Sequence, residues 1–292
     1  MKKLLFTLAV AALSLSAASA EEKTKVHDFG DIRSLEVSYL FDVHVTEGNS
    51  DKVTVIYEEE YEKHLKVRYH KDGAKLRLEL NDIPNKFKRG NQPHITVYLQ
   101  MNDIDDISLS GASSAEFEGK FKSTDLYVGM SGATKLKGLQ VRGSSLKVEC
   151  SGASKANLSG SFTEEIEVNL SGASDLICSL DTDRLEGELS GASKFTNEGN
   201  VKDCEIEASG ASRIDMTGSG ESIEIQGSGA TSLNLKDFPV MVAHVELSGA
   251  SKASVNASKT IRHDVSRASK MTYYGEAELQ NLNEDSNIVR GR

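Results

Sequence analysis

The chain contains no tryptophan, and aromatic residues fill only 6% of its 292 positions. A core built from it is therefore made of thin layers of Val, Ile, Leu and Ala. Cysteine is nearly missing as well. Cys150, Cys178 and Cys204 are the three present, enough for at most one bridge and a spare thiol. Beyond the first fifteen residues no stretch is apolar enough to cross a bilayer as a helix. Basic side chains are in deficit, 34 against 44 acidic ones, which disfavours nonspecific binding to nucleic acid or to an anionic membrane surface. No G-x-S-x-G elbow, metal-ligand spacing or Gly-and-Asp nonapeptide calcium repeat occurs.

The N-terminus reads as a signal peptide over residues 1–20. Lys2 and Lys3 precede an apolar stretch from Leu4 to Leu15, and Ala18-Ser19-Ala20 supplies small residues for cleavage before Glu21. No cysteine sits beside the cut, so a lipid anchor is not expected. The mature chain carries 32 basic and 44 acidic side chains, a net of −12. It is expected outside the cytoplasm: in the periplasm, on the outer-membrane surface or secreted.

What the sequence has in abundance is Ser-Gly-Ala-Ser. Copies begin at Ser110, Ser131, Ser151, Ser171, Ser190, Ser209, Ser228 and Ser248, with a worn ninth at Ser266, and the interval is 18 to 21 residues. A short fixed period marks a repeat architecture whose units cannot fold alone. Counting each first Ser as position 0, positions −5, −3 and −1 are apolar in 23 of 27 places; Asp105, Gly187, Gly227 and His263 are the exceptions. This is the period-2 pattern of a strand with one buried face. Position +5 is apolar in all nine units and +7 in seven, which predicts a second inward-facing strand after the corner.

Each unit thus reads as strand, sharp corner, strand and a variable loop, such as Gly160-Ser161-Phe162 or Asp181-Thr182-Asp183. Gly at +1 suits a backbone angle closed to other residues, and Ala at +2 suits a narrow interior at the corner. Stacking equivalent strands gives an all-β, right-handed parallel β-helix of about nine coils. At about 4.8 Å per layer it is about 43 Å long. All three cysteines fall at inward positions of different coils, so the register predicts three buried thiols, with a single bridge as the alternative.

The domain organisation follows. Residues 21–105 alternate irregularly, as in Leu35-Glu36-Val37 and Ile95-Thr96-Val97-Tyr98-Leu99, and form a β region capping the first coil, since an open end would expose strand edges. Residues 106–275 are the solenoid, and 276–292 a polar tail. The stretch Pro84 to Pro93, with Lys86, Lys88 and Arg89, is the longest polar interruption.

Several features together resemble the head GIN domain family, described as "putative" autotransporter adhesin heads of exported bacterial proteins. They are Phe41-Asp42-Val43 followed by Gly48, Ile95 to Leu99 before the first repeat, the repeated Ser-Gly-Ala, and the closing Tyr273-Tyr274-Gly275. The resemblance spans nearly the whole mature chain. It implies a β-helical exported domain with no established enzymatic activity and no assigned functional residues. Unlike a full autotransporter, the chain shows no barrel or coiled-coil stalk sequence after the repeats.

Two outward columns are candidates for ligand contact. The acidic one holds Glu167, Glu186, Glu205 and Glu224 at −4 and Glu149, Glu188, Glu207 and Glu246 at −2, with Asp106 and Asp264 completing it. It reads as a solvated face, or as one gathering calcium or a cationic polymer. The basic column at +4 holds Lys135, Lys155, Lys194, Arg213, Lys252 and Lys270, a solubility device or a track for an anionic polysaccharide. The serine columns at 0 and +3 are structural, because a catalytic site is needed once and these recur nine times. His244 and His263 sit at different offsets and make poor partners for one metal ion.

The reading is an exported, non-catalytic, adhesin-like binding module without cofactor or metal, its partner a polysaccharide or a cell-surface protein. A polysaccharide lyase or glycosidase on a β-helix is the first alternative, and a structural or assembly module the second.

Overall fold

The computed structural model describes residues 21–82, 94–266, 268–281 and 287–291. The expected signal peptide and the Pro84–Pro93 stretch lie outside the described residues. The alternating apolar positions do what their period dictates. Strands Lys135–Cys150, Lys155–Leu170, Asp175–Leu189 and Lys194–Ala208 lie side by side in parallel. Position −3 makes one interior file, running Val148, Val168, Gly187, Ile206, Ile225, Val245 and His263. Its Val and Ile members are all 0% exposed. The protein is a parallel β-solenoid.

Two of the loops expected between coils are strand instead. Gly160-Ser161-Phe162 and Asp181-Thr182-Asp183 lie within strands Lys155–Leu170 and Asp175–Leu189, with Phe162 buried. The chain turns without leaving the ladder, through irregularities such as the one between Phe162 and Glu165. Gly138, an exception to the apolar +7 file, sits at another, with φ of 70° and Leu139 buried beside it.

The corner also differs from expectation in one respect. The repeat glycines from Gly111 to Gly249 have φ between 71° and 84°, as foreseen. Alanine at +2, however, is exposed in every coil (Ala112, Ala153 and Ala192 among them). The side chain turned inward is the +3 hydroxyl, since Ser113, Thr134, Ser154, Ser174, Ser193, Ser212, Thr231, Ser251 and Ser269 are all buried. Most of these donate to the carbonyl of position 0, as Ser154 does to Ser151 at 2.6 Å and Ser174 to Ser171 at 2.6 Å. A small hydroxyl thus satisfies a carbonyl freed by the turn, and Ala keeps the outer surface of the corner small.

The inner strands of the N-terminal region share the solenoid's geometry. Ser34–Val37 lies between Lys75–Leu80 and Asp106–Leu109, and Asp42–Glu47 between Thr96–Met101 and Ser114–Glu118, all in parallel. Between them Ser38-Tyr39-Leu40-Phe41 forms a corner like the others. Tyr39 has φ of 81°, and its carbonyl accepts from the Ala112 amide at 2.8 Å. The pairing turns antiparallel toward the outside, where Lys52–Glu58 lies on Thr96–Met101, Glu22–Asp28 covers Lys52–Glu58, and Leu65–His70 covers Lys75–Leu80. At the far end Glu278–Asn281 and Ile288–Arg290 lay a short final layer on the two strands of the Ser266 coil.

The three cysteines are free and buried. Burial pushes the Cys150 thiol up to about 12 and raises Cys178 and Cys204 as well, which keeps all three unreactive.

Two departures in the −3 file make predictions. A Cβ on Gly187 would meet its nearest neighbour, Ile206, at 3.7 Å, an ordinary contact. Gly187→Ala is therefore expected to stabilise the protein by about 0.5–1 kcal/mol, by removing the entropy cost of a strand glycine, read as a raised denaturation midpoint. His263 is 2% exposed and its Nδ1 has no partner. Burial holds its pKa below the usual value, and the adjacent Asp264 opposes this only partly. The unfolded chain then binds a proton first as pH falls below about 6.5. Stability from this site is complete above that pH and is lost as pH drops through the lowered folded pKa. His263→Gln should flatten that part of a melting-temperature profile between pH 7 and 5.

Candidate functional site

Period-2 alternation places −2 and 0 on the outside of every coil and −1 inside. Side chains at −2 and 0 therefore flank a trough whose floor is the −1 residue, and stacking joins the troughs. The result is one groove of about 1110 Å³ along the rod, from Glu36 to Asp264. Those ten layers, separated by nine steps of about 4.8 Å, span about 43 Å. One wall carries the −2 side chains: Ser108, Gly129, Glu149, Asn169, Glu188, Glu207, Gln226, Glu246 and Asp264, while the other is the ladder of first serines. Ser110, Ser151 and Ser209 reach back to the −1 carbonyl of the coil before, at 3.3 to 3.4 Å. The long contacts leave hydroxyls facing outward.

The structure thereby splits the acidic column. Glu149, Glu188, Glu207 and Glu246 line the groove, whereas Glu167, Glu186, Glu205 and Glu224 stand beside it. The outer set is largely compensated. Lys147 reaches Glu167 at 2.9 Å and holds its carboxyl below the usual range; Arg184 pairs with Glu186 and lies 3.5 Å from Glu205; His244 is 3.7 Å from Glu224. In the groove, Glu36 pairs with Arg77 at 2.6 Å, Glu149 with Lys147 at 3.2 Å, and Glu246 lies 3.4 Å from His244.

Sequence reasoning missed Tyr127. It stands at −4, outside the −2 column, yet it folds over Gly129, where a Cβ would come within 2.7 Å of its hydroxyl. That hydroxyl donates to Glu149 at 2.8 Å. Burial and this carboxylate push its pKa up to about 12. It supplies an aromatic wall in the groove. The glycine at −2 beside a tyrosine was the available signal.

The basic column lies across the corner, on the outward face of the second strand. Lys135, Lys155, Asp175, Lys194 and Arg213 follow one another in register, so an acid interrupts the cations. Arg213 is tied to Asp215 at 3.1 Å. The groove at −2 does not reach this column, and a separate hollow of about 370 Å³ touches only Lys135 among its candidate residues. Among the described residues no set of three His, Cys, Asp or Glu side chains converges as a metal site, and no helix is long and apolar enough to cross a membrane.

The fold and repeat correspond to a family model described as "Putative auto-transporter adhesin, head GIN domain", which matches residues 31–176 and 166–277. The chain belongs to this family. Among solved structures, this family member is similar to one titled a putative adhesin from Parabacteroides distasonis, at 14% identity and a TM-score of 0.55, covering 93% of this chain and 97% of that one. A putative adhesin from Bacteroides fragilis matches at 13% identity and 0.50, covering 90% and 98%. A structure titled a putative lipid binding protein, also from P. distasonis, matches at 12% and 0.50, covering 90% and 97%. At these identities the likeness is one of fold. No curated protein matches the chain.

Proposed function

We propose that this protein is a non-catalytic, exported, adhesin-like module that binds a glycan along the groove. The observation that carries the reading is the groove's form: a single continuous trough, about 43 Å long at 4.8 Å per layer, lined by the same few chemical groups at each layer. A repeated lining suits an extended polymer, which meets similar groups at similar intervals, better than a small metabolite held by one set of contacts. Hydroxyls, amides and carboxylates are also the groups that hydrogen-bond sugar hydroxyls. Membership in a family of adhesin heads supports a binding role and a place outside the cytoplasm. The signal peptide expected over residues 1–20 fits that place.

Catalysis would need one acid and one base whose surroundings set them apart. The groove instead repeats its carboxylates, and none of those at −2 stands in a distinct apolar pocket. The test is a polysaccharide panel presented to the mature protein, with binding and product formation read in parallel. Binding without new reducing or unsaturated ends is expected, and Ser190→Trp, which fills the trough, should abolish it. Turnover, or binding indifferent to Ser190→Trp, overturns the reading.

A further inference from the structure

We infer that the glycan taken by this groove carries free amino groups, held as ammonium ions at Glu188 and Glu207. The inference rests on the reading of the groove as a glycan site and adds the ligand's chemistry.

The groove is an open trough with exposed carboxylates along one wall and no Lys, Arg or His among its lining residues. Elsewhere this protein neutralises the carboxylates of the same face. Arg184 alone serves Glu186 and Glu205, and Lys147 serves Glu149 and Glu167. Glu188 and Glu207 break that habit. They are adjacent in the stack, they face into the trough midway along it, and among the described residues no cation or hydrogen-bond donor engages either carboxylate. A concave wall of one sign concentrates counter-charge and repels like charge, so acidic polysaccharides are excluded here and a cationic group is drawn to the centre.

The rest of the lining says which cationic polymer. A peptide is most often held by adding its backbone to a sheet edge. Beside this groove the strands' amides and carbonyls are already paired from coil to coil, and the trough crosses the strands instead of following them. What it offers is side-chain hydroxyls, the amides of Asn169 and Gln226, and the Tyr127 ring, on either side of the two free carboxylates. That set matches sugar hydroxyls flanking an amine, with the ammonium–carboxylate contacts being the strong ones.

The test compares a glucosamine hexamer, its fully N-acetylated counterpart and hexalysine, each titrated by calorimetry into the mature protein. Low salt strengthens charge contacts, and about pH 5.5 keeps the sugar amines protonated. The free-amine hexamer is expected to bind about tenfold more tightly than the acetylated one. The double substitution Glu188→Gln and Glu207→Gln should bring the two to the same affinity, while Glu186→Gln, on the outer column beside Arg184, should leave the difference intact. Equal binding of both hexamers by the unaltered protein overturns the inference and leaves the glycan reading standing. So does hexalysine binding as tightly as the free-amine hexamer, or an equal loss in Glu186→Gln, because charge alone would then suffice. Failure of both hexamers to bind overturns the inference too, and the polysaccharide panel then decides the broader reading separately.

Discussion

Gly191→Ala is expected to destabilise the protein by about 3 kcal/mol, against a gain from Gly187→Ala four residues earlier. Two costs add. Gly191 has φ of 73°, a conformation that costs an L-residue about 1–2 kcal/mol. Its Cβ would also stand 2.6 Å from the Gly172 carbonyl oxygen of the coil below. That oxygen accepts the Ala192 amide at 2.7 Å, so relieving the clash means lengthening a ladder bond worth about 1 kcal/mol. A flexible side chain could step aside; a stacked backbone cannot. Because the same contact recurs from Gly132 to Gly249, Gly172→Ala and Gly210→Ala should cost similar amounts, measured as denaturant midpoints at constant m-value. If Gly191→Ala proved as harmless as Gly187→Ala, the corner glycines would owe their recurrence to something other than stacking.

The contrast between these glycines shows what was legible in the sequence and what was not. The period of the repeat and its alternation fixed the interior files, and Val148, Val168 and Ile206 share one as expected. Side-chain direction in a strand follows from parity alone, so it survives ignorance of the rest. Parity in fact runs straight through the corner, with odd side chains inside and even ones outside, and it puts Ala at +2 outside and the +3 hydroxyl inside. Assigning Ala to the interior by its size alone set that signal aside. The loops were misread because polar and glycine residues near Gly160 and Asp181 look like turn signals, yet a solenoid can bend within its ladder. The N-terminal corner escaped because Tyr39 holds the conformation that glycine marks elsewhere.

The candidate site was half visible for the same reason. Parity put Glu149, Glu188, Glu207 and Glu246 on the outside, and equally Glu167, Glu186, Glu205 and Glu224. It could not say that the corner makes a trough at −2 and leaves −4 beside it. Nor could it assign Arg184 and Lys147 to particular carboxylates, since each reaches across coils some 20 residues apart in sequence. Concavity and pairing are both properties of the stack, which no single repeat contains.

Asn197→Ala should cost about 2–6 kcal/mol, far more than truncating a surface amide. Asn197 occupies the +7 file that is apolar in seven coils, and it is 0% exposed. Its place follows from a gap in the ladder. Pairing between Asp175–Leu189 and Lys194–Ala208 breaks after Cys178 with Asn197 and resumes at Thr182 with Val201. Within the gap the Leu180 backbone finds the Asn197 side chain instead. Oδ1 accepts the Leu180 amide at 3.0 Å, and Nδ2 donates to the Leu180 carbonyl at 3.3 Å. Removing the amide orphans two buried backbone groups at about 1–3 kcal/mol each. Asn197→Leu separates this account from a simple packing one. Leucine fills the space and matches Leu158 and Leu235 at the same position in other coils, so a packing site would accept it without loss. A site defined by hydrogen bonding will not, because leucine can neither accept from nor donate to Leu180. Chemical denaturation of the two variants beside the parent measures the difference directly, and recovery of parental stability in Asn197→Leu would refute the bonding role.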